Sequence, residues 1–215
     1  MLLEDQRKVV IKTARKAQDM GLIILTFGNF SFRDKATGYI CITPSGMDYQ
    51  ELQPHDIVVV DVTGKIIDGA RKPSVETPLH CHIYQKRPDV FGICHTHSTF
   101  ATAWASCEEP LPLIIAELAT LVGGRVDTAP YRPIGSTELA EVTAGVLADK
   151  AAVLMGNHGM VAVGTDLERA FCNAVIVEES AKTTYYAKNI GKMKVMSKAE
   201  CEAIRRWADE KYGQQ

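Results

Sequence analysis

The 215-residue sequence lacks any hydrophobic run that could cross a bilayer. Its longest apolar runs, such as residues 151–155, fall far short of the roughly 20 residues that a membrane helix needs. It also lacks a charge imbalance, since 24 basic and 26 acidic residues give a formal net charge of −2 without any basic stripe or basic amphipathic segment. We therefore expect neither a nucleic-acid partner nor a membrane partner.

Paired cysteines are missing as well. The six cysteines are scattered without a Cys-x-x-Cys spacing, and a chain of this size does not need disulfide bonds to fold. The first residues, Met1 to Asp5, are acidic and do not form a signal-peptide pattern. These absences predict a cytoplasmic protein with reduced thiols.

The residues that are present predict an α/β fold. Apolar residues make up 46% of the chain, and helical periodicity alternates with short strand-like segments. We expect a single three-layer domain over residues 1–215, with a central, mostly antiparallel sheet flanked by helices. Thr165-x-x-Glu168 and Ser197-x-x-Glu200 are interpreted as capping boxes that open the last two helices. The predicted helices cover 4–20, 75–86, 136–148, 165–190 and 197–211, with 99–122 mostly helical, and strands lie near 30–32, 39–43, 57–61, 65–67, 90–94, 126–129, 151–155 and 160–163.

Three histidines form the pattern that points most directly to chemistry. His95 and His97 follow an apolar segment, and alternation along a strand would place both imidazoles on one face. His158, between Asn157 and Gly159 in a tight turn, could supply a third nitrogen. Three protein ligands with an open position are typical of catalytic zinc, although imidazole also suits cobalt, nickel or iron. The alternative is a set of hydrogen-bonded histidines in the core.

Glu76 is the candidate acid–base group beside this site. It stands at a predicted helix start, where a surface carboxylate favoured by the helix dipole is the alternative interpretation. His80 lies one helical turn further on and would share its face, as a supporting or packing residue. His82 and His55 are interpreted as structural.

Three turns rich in small residues could bind a phosphate. They cover residues 26–29, 43–46 and 72–74, and they offer hydroxyls and backbone N–H groups without forming a P-loop. Each is an ordinary turn by itself, so the prediction depends on their converging in space.

Taken together and in this order, the motifs resemble the class II aldolase/adducin head family. The matching segments span nearly the whole chain: Gly28 to Ser31, Thr43 to Gly46, Lys72 to Glu76, His95 to His97 and Asn157 to Gly159. The resemblance implies the class II aldolase-like fold and a homotetramer with four-fold symmetry and active sites at subunit interfaces. It implies Zn²⁺, one ion per subunit, held by His95, His97 and His158 with Glu76 as a further ligand. It also implies phosphate binding by Thr26, Gly28, Asn29, Ser45, Gly46 and Ser74, and catalytic roles for Glu76 and for Tyr212 of Tyr212-Gly213.

The function that this resemblance implies is reversible cleavage of a ketose 1-phosphate to dihydroxyacetone phosphate and an aldehyde. Glu76 would transfer a proton at the carbon beside the broken bond, with its pKa shifted towards neutrality by partial desolvation. The chain departs from the aldolase pattern at Val75, where a second serine is expected. It also has no tyrosine between Leu113 and Val122, where Glu117 could substitute. These departures leave the identity of the sugar substrate undetermined.

Several alternatives use the same scaffold. The first is 4-epimerisation of a pentulose 5-phosphate, which the segment Thr77-Pro78-Leu79-His80 favours and Glu76 disfavours. The others are dehydration of methylthioribulose 1-phosphate and decarboxylation of a 3-oxo-tetronate 4-phosphate. Schiff-base chemistry on Lys72 is a further mechanistic alternative. An adducin-like interaction head is the non-enzymatic one.

Overall fold

A mixed eight-stranded sheet forms the centre of the protein in a computed structural model that describes residues 1–212. The strand order is β4-β3-β2-β1-β5-β8-β7-β6, and all pairs are antiparallel except β6 with β7, which confirms the mostly antiparallel sheet. Gly213 of the Tyr212-Gly213 match lies outside the described residues. The strands are β1 (Gly28–Arg33), β2 (Ile40–Ile42), β3 (Val58–Val60), β4 (Ile66–Asp68), β5 (Gly92–Thr96), β6 (Thr128–Ala129), β7 (Ala152–Met155) and β8 (Gly159–Gly164).

Helices cover both faces of the sheet, as expected for three layers. Side chains alternate along β5, so that Cys94 packs with the core on one face and Ile93 packs with the core on the other. The first face carries α1, α3 and α6, and the second carries α2 and α5. The helices are α1 (Glu4–Asp19), α2 (Thr77–Lys86), α3 (Thr99–Ala105), α4 (Ala116–Leu121), α5 (Thr137–Leu147), α6 (Leu167–Ile190) and α7 (Lys198–Lys211), with a 3-10 turn at Pro54–Asp56.

Of the two capping boxes predicted for the last two helices, one is present and one is wrong. Helix α7 begins with the predicted capping box of Ser197 and Glu200. Helix α6 instead begins after Asp166, whose carboxylate accepts a hydrogen bond from the Arg169 N–H at 2.7 Å. An aspartate one residue beyond Thr165 makes a stronger, charge-assisted cap than the threonine hydroxyl, and this shifts the start of the helix.

The segment 99–122 is less helical than predicted. Helices α3 and α4 flank an extended stretch in which Leu111 bridges to Val126, next to Pro110 and Pro112, which lack the N–H that a helix requires. Helix α3 has no cap from its own N-terminal residue Ser98. The Glu178 carboxylate on α6 accepts hydrogen bonds from two first-turn N–H groups of α3 instead.

Two further predictions concern bilayers and thiols. Among residues 1–212, none of the helices is both long and apolar enough to cross a membrane. All six cysteines are free thiols, in agreement with the absence of paired spacings.

Candidate active site

The sheet and one helix start bring the predicted metal ligands to one place. His95 lies within β5, opposite Asn29 of β1 on one side and Val161 of β8 on the other. The strand starts and ends two residues later than predicted, so His97 follows directly after it. His158 sits in the turn between β7 and β8, and Glu76 immediately precedes α2.

These four side chains, which we call the donor cluster, face one another. One ligand atom from each of Glu76, His95, His97 and His158 lies within 4.8 Å of all the others. Nε2 of His95 is 2.9 Å from Nε2 of His97 and 3.0 Å from Oε2 of Glu76. Nε2 of His158 is 3.5 Å from Oε1 of Glu76. The structure therefore brings together the four residues that the sequence predicts as ligands, and their binding of a metal stays a prediction.

The donor atoms fit a divalent cation. Nδ1 of His95 lies 2.9 Å from the Met160 carbonyl oxygen, which can only accept a hydrogen bond, so Nδ1 carries a proton and Nε2 is the ring nitrogen that faces the cluster. Oε1 of Glu76 is buried and has no hydrogen-bond partner within residues 1–212. Three imidazoles and a carboxylate, with an orphaned carboxylate oxygen, form a donor set that could hold a metal such as zinc.

The three predicted turns lie side by side next to the donor cluster. The 43–46 and 72–74 turns pair through Ser45 N–H to the Lys72 carbonyl and Ser74 N–H to the Thr43 carbonyl. The Ser74 hydroxyl then accepts a hydrogen bond from the Glu76 N–H at 3.2 Å. Gly28 pairs with Thr96 beside the histidines. The condition that the turns converge is thus met, while phosphate binding itself stays a prediction.

Gly28 and Gly46 explain why these turns need glycine. Gly28 has φ of 132°, and a Cβ there would lie 2.8 Å from the His95 carbonyl oxygen. Gly46 has φ of 69° and open space around it, so that only its backbone conformation favours glycine. Around them, Thr26 is half-buried, Ser45 is exposed and Ser74 is buried.

Comparison with known proteins agrees with this geometry. The family described as Class II Aldolase and Adducin N-terminal domain matches residues 8–185. The 5-deoxy-D-ribulose 1-phosphate aldolase of Bacillus thuringiensis serovar kurstaki is 36% identical over 100% of both chains. The 5-methylthioribulose-1-phosphate/5-deoxyribulose-1-phosphate aldolase of Rhodospirillum rubrum is 34% identical over 92% of this chain and 88% of its own. A solved L-fuculose 1-phosphate aldolase superposes with a TM-score of 0.92 at 36% identity, over 95% of this chain and 96% of that one.

The chain belongs to the class II aldolase and adducin family. Relatives that match it over nearly their full length are named as aldolases, and the donor cluster is complete. It is therefore an enzyme of the class II aldolase type, a carbon–carbon lyase.

The electrostatics of this aldolase site correct one expectation. Burial favours the neutral form of Glu76, but the facing imidazoles of His95 and His158 and the amide of Asn29 outweigh it and hold the pKa of the carboxyl below its usual range. The predicted shift of the Glu76 pKa towards neutrality is therefore wrong for the protein described here. Glu76 is a carboxylate at neutral pH, ready to bind a cation or to accept a proton.

The histidines of the aldolase site differ in the direction in which their pKa values are shifted. Burial, followed by the charge on His95, lowers the pKa of His97 to about 3 and that of His158 to about 4, so both are in the neutral, ligating form at pH 7. Burial also opposes a charge on His95, but the adjacent Glu76 outweighs it and raises the pKa of that imidazole.

Two candidate acids lie away from the donor cluster. Tyr212 follows α7, is 71% exposed, and has its ring 6.2 Å from that of Trp207. Glu117 is exposed on α4, which packs against α7. We call α4, α7 and Tyr212 the α4–α7 edge. A catalytic role for Tyr212 stays a prediction.

Sequence reasoning missed three residues around the site. Phe27 stacks on the His97 ring, with centroids 6.0 Å apart. Ser31 and Tyr84 form hydrogen bonds that reach His80 behind the cluster. Ser31 could have been found, because it lies two positions beyond Asn29 on a strand and so shares its face.

Proposed function

We propose that this aldolase reversibly cleaves a ketose 1-phosphate to dihydroxyacetone phosphate and an aldehyde, with Zn²⁺ bound by His95, His97, His158 and Glu76. The observation that carries the proposal is a buried donor cluster lying directly beside three converging turns of the kind that bind phosphate. The ion would supply Lewis-acid polarisation of the substrate oxygens.

The residues of the chain divide the remaining tasks. Backbone N–H groups and hydroxyls of the turns, with Ser74 nearest to Glu76, would hold the phosphate of the substrate. This fixes the carbon chain so that the reacting carbon lies at the donor cluster. In the direction of condensation, the Glu76 carboxylate accepts the proton from the hydroxymethyl carbon of dihydroxyacetone phosphate, and in the direction of cleavage it returns that proton.

We propose a 5-deoxypentulose 1-phosphate as the first candidate substrate. Cleavage between C3 and C4 of such a sugar conserves all atoms as dihydroxyacetone phosphate and acetaldehyde, a small aldehyde with an apolar methyl group. Ile24, Leu25 and Phe27 are exposed just before β1, and Phe27 stacks on His97, so an apolar surface lies beside the histidines. The names of the relatives from Bacillus thuringiensis and Rhodospirillum rubrum support this choice.

L-fuculose 1-phosphate is the second candidate. It is favoured by the TM-score of 0.92 to a solved aldolase for that sugar. Its aldehyde carries an additional hydroxyl, which requires a polar partner that Ile24, Leu25 and Phe27 do not offer.

The test is a panel of ketose 1-phosphates assayed for release of dihydroxyacetone phosphate, with and without a metal chelator. We expect release from 5-deoxyribulose 1-phosphate, less from L-fuculose 1-phosphate, and none after chelation. Substrate turnover without dihydroxyacetone phosphate would favour the epimerase, dehydratase or decarboxylase alternatives. Trapping of the substrate by borohydride would favour a Schiff base on Lys72. The single domain over residues 1–215, the four-fold homotetramer and the cytoplasmic location stay predictions.

A further inference from the structure

A continuous chain of hydrogen bonds runs behind the donor cluster through groups that the proposed reaction does not use. The Tyr84 hydroxyl is 2.9 Å from Oγ of Ser31, which is 2.6 Å from Nδ1 of His80. Nε2 of His80 is 2.6 Å from Oδ1 of Asn29, and Nδ2 of Asn29 is 2.8 Å from Oε2 of Glu76. All five side chains are buried, with His80 and Ser31 fully inaccessible to solvent.

The direction of every donor in this chain follows from its end at Glu76. The Glu76 carboxylate is an acceptor, so Asn29 must present its NH₂ group there, because a flipped amide would place an oxygen against an oxygen at 2.8 Å. The Asn29 oxygen then faces His80, and Nε2 of His80 must carry the proton that it donates.

The remaining two members follow in the same way. His80 is fully buried and its two ring nitrogens face only neutral groups, the Ser31 hydroxyl and the Asn29 amide, so the ring is neutral and its Nδ1 is an acceptor. The Ser31 hydroxyl must therefore donate to Nδ1. The Tyr84 hydroxyl, 2.9 Å from Oγ of Ser31, also has the Ser31 carbonyl oxygen as an acceptor at 3.1 Å. From Ser31 to Glu76 every donor points towards the carboxylate, an arrangement in which successive hydrogen bonds polarise and strengthen one another.

We propose that His80 is a positioning residue for Glu76: as the neutral Nε2–H tautomer it locks the Asn29 amide in the orientation that donates to the Glu76 carboxylate. This role rests on the proposed function of Glu76. It also gives Asn29 a task besides the predicted phosphate contact, because its side chain is held by Glu76 and His80. Removal of a residue that orients a metal ligand through hydrogen bonds typically lowers metal affinity or activity by roughly 10–100-fold.

The tautomer can be observed directly, without any substrate. We would record ¹⁵N spectra of the histidine side chains in the full-length, Zn²⁺-loaded protein at pH 7, and assign His80 from the signal lost in H80Q. We expect His80 as the Nε2–H form. An Nδ1–H form or a doubly protonated ring would overturn the proposal.

Substitution tests the consequence for the site. We expect H80L to lower kcat and Zn²⁺ affinity by roughly 10–100-fold, with KM changing much less. H80Q should recover part of both losses, since its amide N–H can replace the Nε2–H donor. The matched control is N173L, which also removes a buried side-chain donor. Asn173 lies on α6, on the face of the sheet opposite to α2, and its amide donates to the Val163 carbonyl at 2.8 Å. This control variant should keep the kcat and Zn²⁺ affinity of the wild type.

The outcomes separate this inference from the proposed function. Wild-type kcat and Zn²⁺ affinity in a folded H80L protein would overturn the positioning role while the aldolase function stands. If no ketose 1-phosphate is cleaved by the wild type, the proposed function fails, and the tautomer and the Zn²⁺ affinities still decide the role of His80. If H80L does not fold, H80Q and the wild-type spectrum decide it.

Discussion

The donor cluster and the α4–α7 edge differ in how completely one chain fixes them. In the cluster, Glu76 and His95 are at most 3% exposed and are held by hydrogen bonds from Asn29 and to Met160. At the edge, Tyr212 is 71% exposed and Trp207 is 52% exposed. A single chain therefore fixes the groups that react at the carbon skeleton, whereas it leaves the edge open. That a neighbouring subunit completes the site at this edge stays a prediction.

Removal of the metal should give the largest effect and tests whether the cluster is a metal centre. We expect a chelator to abolish cleavage, because the bound ion would polarise the substrate oxygens, and Zn²⁺ to restore it. Metal analysis and the dihydroxyacetone phosphate assay measure this together. Full activity in a protein shown to be metal-free would contradict the assignment of the donor cluster as a metal centre.

Glu76→Gln should lower kcat by roughly 10²–10⁴-fold, the usual contribution of a positioned acid–base group. The amide keeps the shape of the side chain but cannot accept the proton. Glu141→Gln, an exposed glutamate on α5, is the control and should match the wild type. A Glu76→Gln protein that retains zinc and near-full activity would end the assignment of the acid–base role.

Ser74→Ala tests the turns beside the donor cluster. A hydrogen bond to a charged group contributes about 1.5–3 kcal/mol, so kcat/KM should fall roughly 10–100-fold if the hydroxyl binds the phosphate. Most of the change should be in KM, measured by steady-state kinetics. Ser106→Ala, on the exposed end of α3, serves as the control. An unchanged KM would remove Ser74 from the phosphate site.

Tyr212→Phe should give the smallest effect and tests the α4–α7 edge. We expect kcat to fall about tenfold, less than the ~10² of a well-positioned acid, because the side chain is 71% exposed in one chain. Sedimentation of both proteins checks that the predicted tetramer forms. A tetrameric variant with wild-type kcat would show that Tyr212 takes no part in the reaction.

Local sequence rules predicted some elements better than others. The Ser197 box predicted the start of α7 because both partners lie within one helical turn. The Thr165 box was wrong because Asp166, the next residue, is the better acceptor. Helix α3 lies at the start of the segment predicted as helical, but its cap could not be predicted, because it comes from Glu178 on a helix far away in sequence.

The sequence by itself determined the chemistry that this aldolase can perform. The local patterns are the spacing of His95 and His97, the small-residue turns and Glu76. The histidine spacing is predictive because side chains alternate along a strand. The tertiary structure decided which protonation states and orientations these groups adopt. Glu76 is ionised rather than shifted towards neutrality because residues far away in sequence surround it with imidazoles and an amide. The electrostatic environment of a carboxylate depends on groups a few ångströms away, and here those groups come from separate segments of the chain, so no single stretch of sequence reveals it.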